Sequence, residues 1–308
     1  SRSASARPSP NRNTGNSARA RRLADPSIPR HTGAMVDLLA THWPLLAALA
    51  AAGVFAGIAA GLFGIGGGAI IVPTLYFLFT ALGFEQTAMH VAVSTSLATI
   101  IATSIRSVLA HNTHGAVDWS VIRTWGPWIM VGAAVGMGAA SFISAQGLTL
   151  IFATLAFLLA AQLYFGRPGW RLADDLPGGP LRAGLGSAIG ALSALMGIGG
   201  GTFGVTLMTV FGRPMHQAVG TGAGFGVAIG LPATLVAILI GWGRDGLPPF
   251  SLGYVNLIAF ALIAACTVTM APVGAALAHR LDAALLKKLF AVLLALVAAR
   301  MLWRVIGG

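Results

Sequence analysis

The sequence predicts an all-α polytopic membrane protein built of two homologous halves, each a glycine-broken helical hairpin followed by three transmembrane helices. Three observations carry this. First, of 308 residues 56% are hydrophobic and only 9% charged, against about 25% charged in an average soluble domain. Second, the segments 38–84, 124–166, 183–212, 214–243 and 246–279 contain no Asp, Glu, Lys or Arg, and each is long enough for at least one span of about 20 residues. Third, a short pattern, Gly64-Ile65-Gly66-Gly67-Gly68, recurs as Gly197-Ile198-Gly199-Gly200-Gly201.

Residues 1–34 hold 7 of the 19 basic residues and one acid, Asp25, in a Ser-, Arg- and Pro-rich stretch without apolar periodicity. This composition is that of a disordered basic tail, and it stands outside the fold. The formal charge of +11 is therefore no argument for nucleic acid, because the other Lys and Arg gather near the ends of apolar runs, where they anchor spans. The single cysteine, Cys266, offers neither a disulfide framework nor a thiolate metal site. No metal and no cofactor are expected.

The first half is expected over 35–166. From Leu45 to Gly83 the chain is apolar for 39 residues, which as one helix would be roughly 58 Å long against a hydrocarbon core of about 30 Å. Four glycines in five residues are poor helix interior, so the run breaks at Gly64–Gly68 into arms near 45–63 and 69–83, with Pro73 close to the start of the second. Spans follow near 88–110, 121–144 and 147–166, and His111–Trp119 connects the first two. The stretch 167–182, with three arginines, two aspartates and three prolines, reads as the polar linker. The second half, 183–308, is expected to place elements near 184–196, 202–211, 217–241, 253–279 and 283–304.

The halves match in more than the glycines. Ala92-Val93-Ser94-Thr95-Ser96 aligns with Ala218-Val219-Gly220-Thr221-Gly222, and His90 falls on His216. Gly115-Ala116-Val117-Asp118 aligns with Gly253-Tyr254-Val255-Asn256, and Phe152-Ala153 with Phe290-Ala291. Five elements per half is an odd number, so the second half is expected to be inverted relative to the first, the common architecture of secondary transporters. With ten elements and the amino terminus outside, Arg106, Arg123, Arg167, Arg171, Arg182, Arg213, Arg280, Lys287 and Lys288 face the cytoplasm and Arg244, Arg300 and Arg304 do not. Eight spans, with each long run a single crossing and both termini inside, also give a positive-inside excess.

The duplicated glycine pattern, the arm carrying Pro73, the Ala-Val-Ser-Thr-Ser run and the connection His114-Gly115-Ala116-Val117-Asp118-Trp119 resemble the TauE/SafE family of sulfite exporters. The resemblance covers about 45–304 and implies an inner-membrane permease that exports sulfite or another sulfur-containing organic anion. Two departures concern the cargo: Gly220-Thr221-Gly222 is poorer in hydroxyls than the usual run, and Thr202–Thr206 lacks a proline matching Pro73.

Candidate binding residues follow from anion chemistry. Backbone N–H groups left bare in hydrocarbon cost several kcal/mol each. An anion held by Gly64, Gly66, Gly67 and Gly68 and by Gly197, Gly199, Gly200 and Gly201 would satisfy them, as at helix N-termini; close helix packing is the competing explanation for the same glycines. Thr95 and Thr221 occupy matched positions and are candidate hydroxyl ligands, with Ser94 and Ser96 secondary, although hydroxyls in spans commonly bond their own helix carbonyls. His90 and His216 are candidate proton carriers, or interfacial residues. Arg106 is a candidate for steering the cargo, or a snorkelling side chain. No Asp or Glu falls well inside a span, which argues against a cation pump and fits an anion path. A non-enzymatic permease with a small anion and the lipid bilayer as partners is the expectation. An anion channel and a membrane-embedded enzyme or subunit stay open, and the oligomeric state is open.

Overall fold

The computed structural model describes residues 43, 47, 49–62, 67–166, 172–173, 175–278 and 283–307; the basic tail, Gly64, Gly66 and residues 167–171 and 174 of the linker lie outside the described residues. Residues 47–308 form one compact unit.

Among the described residues ten helices and one small hairpin make up this unit. The first half contributes α1 (Leu49–Leu62), α2 (Gly68–Ala81), α3 (Ala88–Asn112), α4 (Trp119–Ala140) and α5 (Ala145–Phe165). The second contributes α6 (Gly179–Met196), α7 (Phe203–Val210), α8 (Met215–Gly241), β1 (Ser251–Leu252), β2 (Val255–Asn256), α9 (Leu257–Ala278) and α10 (Ala283–Ile306). Among the described residues five helices, α3, α5, α8, α9 and α10, are long and apolar enough to cross a membrane.

Both long apolar runs break at their glycines. α2 starts after Gly67, which sits in the left-handed region at φ 75°. α6 ends at Gly197 (φ 63°), where Gly197 N–H donates to the Ala194 carbonyl and Ile198 N–H to the Ser193 carbonyl, 3.1 and 3.0 Å. This pair of bonds is a Schellman closure, whose left-handed residue is usually glycine. With 8 residues α7 rises only about 12 Å, so it does not cross a bilayer. It returns towards its starting face: Leu172 N–H, ahead of α6, donates to the Val210 carbonyl at the end of α7, and Asp175 pairs with Arg213 at 2.8 Å.

One boundary differs from expectation. α6 begins at Gly179-Pro180, inside the stretch expected as linker, because proline suits the first turn of a helix. Pro73 is the sixth residue of α2, where it lacks the N–H that would bond the Ala69 carbonyl.

The core sits where small residues let helices touch. A Cβ at Gly132 or Gly136 of α4 would meet the backbone of Ser187 or Ala191 on α6, and one at Gly190 the Ile129 carbonyl. On the other side, Gly53 and Gly57 of α1 lie against Cys266 and Thr267 of α9, and Gly274 against the Ile58 carbonyl. α3 and α8 pack together through the middle, with Gly226 on Ser104 and Gly230 on Ile101. Without a hydrophobic drive between helices in lipid, such close approach is a main source of association. α3 is the most enclosed of the five candidate spans, and two of its hydroxyls bond its own carbonyls: Thr99 donates to the Thr95 carbonyl and Thr103 to the Thr99 carbonyl, and the Thr103 and Thr267 hydroxyls meet at 2.9 Å.

Candidate functional site

Matched landmarks of the two halves make matched bonds. Gly115 and Gly253 both take positive φ, 65° and 54°. Three residues later, Asp118 and Asn256 cap the next helix, accepting from Val121 N–H at 3.1 Å and Ala259 N–H at 3.0 Å, which satisfies donors that a helix start leaves free. The backbone N–H of each capping residue crosses to the other half: Asp118 N–H donates to Thr221 Oγ1 at 2.9 Å, and Asn256 N–H to Thr95 Oγ1 at 3.0 Å. Both threonines are fully buried. In these bonds each hydroxyl accepts, so its own proton has no partner among the described residues.

The described parts of the two glycine loops touch. A Cβ on Gly68, the first residue of α2, would strike the Gly197 carbonyl oxygen, and one on Gly200 would strike Phe225 of α8. Gly67 lies on the Ala56 backbone. Gly199 and Gly201 are buried in the turn between α6 and α7. Ser96 ties α3 to the second loop by donating to the Gly197 carbonyl at 2.8 Å. Three buried hydroxyls in this neighbourhood have no hydrogen-bond partner among the described residues: Ser94 on α3, Ser193 four residues before Gly197, and Thr202 directly after Gly201. A buried unpaired hydroxyl is costly.

A sizeable open space lies towards one end of the bundle. A cavity of about 850 Å³ is lined by the end of α2 (Tyr76, Thr80), the α2–α3 connection (Glu85, Gln86, Thr87), His90, the α4–α5 turn (Ser141–Gln146), Thr149, Arg244, Tyr254 and Arg304. None of the described glycine-loop residues lines it. Its wall at His90 is six residues from Ser96 on α3, about 9 Å along the axis. The vestibule therefore stops roughly two helical turns short of the loop contact.

At this inner wall His90 is held firmly. Its Nε2 lies 3.1 Å from both the Ala140 and Ile143 carbonyl oxygens; carbonyls only accept, so Nε2 carries a hydrogen and Nδ1 is the free ring position. The ring stacks on Tyr254, centroids 5.2 Å apart, and the Arg244 guanidinium carbon lies 5.8 Å from the Tyr254 centroid on that ring's face. Tyr254 is placed by the hairpin β1–β2, where Leu252 pairs with Val255 around the two-residue turn Gly253-Tyr254. Such a turn takes positive φ at its first residue. Gly253 also lies against the Ile238 backbone of α8, which leaves no room for a side chain. Burial pushes the Tyr254 phenol above its usual range, with Arg244 opposing, so the ring stays neutral beside the guanidinium. Arg304 pairs with Glu85 at 3.6 Å, whereas Arg244 has no ion-pair partner among the described residues.

The other candidates lie apart. His216 is exposed at the start of α8, so the matched histidines differ in setting. Arg106 is exposed beside a crevice of about 10 Å³ lined also by Gly61, His111, Ala271 and Pro272. Among the described residues no three His, Cys, Asp or Glu gather as metal ligands. Sequence reasoning missed Tyr254 and Arg244, yet both left a signal. Tyr254 stands where the first half has Ala116, a break in the repeat, and Arg244 is one of three basic residues assigned to the face poor in charge.

Comparison with known proteins gives a consistent result. Residues 49–301 match the family described as "Sulfite exporter TauE/SafE". A "Probable membrane transporter protein" of Haemophilus influenzae is 35% identical over 252 residues, covering 81% of this chain and 95% of the relative. The "Probable membrane transporter protein YunE" of Bacillus subtilis is 35% identical over 189 residues, 55% of this chain and 69% of the relative. A protein of the same description from Methanocaldococcus jannaschii is 30% identical over 230 residues, 73% and 82%. No solved structure matches.

Proposed function

The chain belongs to the TauE/SafE sulfite exporter family of membrane transporters, and on that premise we propose that it is a secondary permease of the inner membrane that exports a small anion, sulfite or an organosulfonate, by alternating access between two inverted halves. The observation that carries this reading is the reciprocal pair of bonds, Thr95 with Asn256 and Thr221 with Asp118. An exchange of the same bond in both directions is what a two-fold relation between halves produces, and such halves rock about a site on their interface. The α6–α7 hairpin, which turns back to its own face, supplies the discontinuous helix that such sites use.

In this reading the cargo binds between the glycine loops. Free N–H groups at Gly64, Gly66, Gly67 and Gly68 and at Gly199, Gly200 and Gly201 would face its oxygens, with Gly197, whose own N–H closes α6 onto the Ala194 carbonyl, shaping the second loop, and the uncommitted protons of Thr95 and Thr221 and the unpaired hydroxyl of Ser94 would complete the set. Ser96 holds the loop to α3. The contact of Gly68 with Gly197 closes the path below the vestibule in this state, and His90 stands at the inner wall as the candidate proton carrier. Basic residues at the other ends of the helices, Arg106, Arg123, Arg182, Arg213 and Lys288, mark the cytoplasmic side; the vestibule then opens outward, where an exporter releases cargo.

Flux of labelled sulfite and of methanesulfonate through purified protein in liposomes tests the proposal. Saturable flux with counter-flow exchange is expected in the wild type, and its loss in Gly67→Val and Gly200→Val with insertion intact. Flux of a panel of oxyanions no faster than through empty liposomes would remove the transport reading, and flux without exchange would indicate a channel.

A further inference from the structure

The vestibule contains a built cationic platform that the glycine loops do not account for. Arg244 follows α8 through Gly243, at φ 69°, and lies on the face of Tyr254, whose ring rests on His90. His90 is in turn fixed to the Ala140 and Ile143 carbonyls. The guanidinium is thus placed beside the face of the Tyr254 ring by the turn that follows α8. A cation–π contact leaves the N–H groups of a guanidinium available to an oxyanion. Its sequence neighbour Asp245 is not within ion-pair distance, while Arg304 nearby is already engaged by Glu85.

The hydroxyls around it sharpen the assignment. Thr80, Ser141 and Thr149 donate their protons to the carbonyls of Tyr76, Gly138 and Ala145. They do not compete with Arg244 as donors. Ser144 differs: its oxygen accepts from Gly147 N–H as the cap of α5, and its proton remains available on the wall beside the positive end of that helix.

We infer that Arg244, held on the Tyr254–His90 stack, is an oxyanion capture site at the vestibule, distinct from the glycine loops, binding the oxygens of a sulfite, sulfonate or carboxylate head group in bidentate fashion. This rests on the transport reading for its place in a cycle but not for its existence. The site receives the anion as it leaves the loop contact, or holds it before it enters.

Titration calorimetry of the purified protein with sodium sulfite and with methanesulfonate tests it, alongside flux in liposomes. Arg244→Gln is expected to weaken binding of both probes by about tenfold or more, the size of one lost charged hydrogen-bonding partner, with an unchanged thermal midpoint because Arg244 is exposed. Arg304→Gln is expected to change binding less than about threefold, since its charge is already shared with Glu85. Arg244→Lys keeps the charge without the planar fork and should fall between; Tyr254→Leu, with the charge kept and the platform removed, should also weaken binding. Wild-type affinity in Arg244→Gln, an equal loss in Arg304→Gln, or no binding of either probe to the wild type overturns the site. Normal flux with an unaltered half-saturating concentration in Arg244→Gln sinks the capture site and leaves the permease standing. Arg244-dependent binding in a protein without flux does the reverse.

Discussion

Thr95 and Thr221 show how one side chain serves architecture and leaves something over for chemistry. Each hydroxyl oxygen accepts a buried backbone N–H from the opposite half, at 3.0 and 2.9 Å. Replacing either by valine keeps the shape and strands that N–H, so Thr95→Val and Thr221→Val should each cost about 1–3 kcal/mol. Thermal unfolding in detergent checks this, and the serine variants should recover most of the loss. Because the two bonds lie in different places, the double valine variant should lose roughly the sum of the singles. Stability unchanged in both single variants would mean that water replaces the hydroxyls and the halves are not joined there. The pairing of these threonines was legible in the sequence, since both lie in the repeated run. Their partners were not, because a bond between residues 161 positions apart leaves no local pattern.

At the scale of elements, glycines decide which helices approach. A Cβ at Gly200 would strike Phe225 and one at Gly68 the Gly197 carbonyl, whereas Gly126 on α4 has nothing within 4 Å of the same position. Gly200→Ala and Gly68→Ala should therefore lower both the thermal midpoint and flux. Gly126→Ala should be neutral or slightly stabilising, by up to about 1 kcal/mol from helix propensity. Gly253→Ala should displace Tyr254, because alanine resists positive φ and its methyl meets the Ile238 backbone; the Arg244 site should be lost with it. The glycine breaks and the number of helices could be read from the chain, because four glycines in five residues contradict any uninterrupted helix. The vestibule could not. Its wall gathers the ends of α2, α4 and α10 with the starts of α3 and α5 and the β-hairpin, and no apolar periodicity says which ends meet.

For the whole molecule, the halves exchange a matched pair of bonds, yet the vestibule is on one side. His90 lines a cavity of about 850 Å³ while its counterpart His216 lies exposed elsewhere. One-sided space within a two-sided frame is what the proposed alternating access requires of an end state, and in the proposed orientation the closed side faces the cytoplasm. Access measured from each face tests this most directly. In a Cys266→Ala background, Gln146→Cys lines the vestibule and Gln217→Cys lies by Asp118 near the opposite helix ends. The expected result is that an impermeant thiol reagent labels Gln146→Cys from the outer face only, and that saturating sulfite or methanesulfonate slows this labelling while speeding that of Gln217→Cys from the inner face. Labelling rates of both positions that do not respond to any transported anion would contradict alternating access between the two halves.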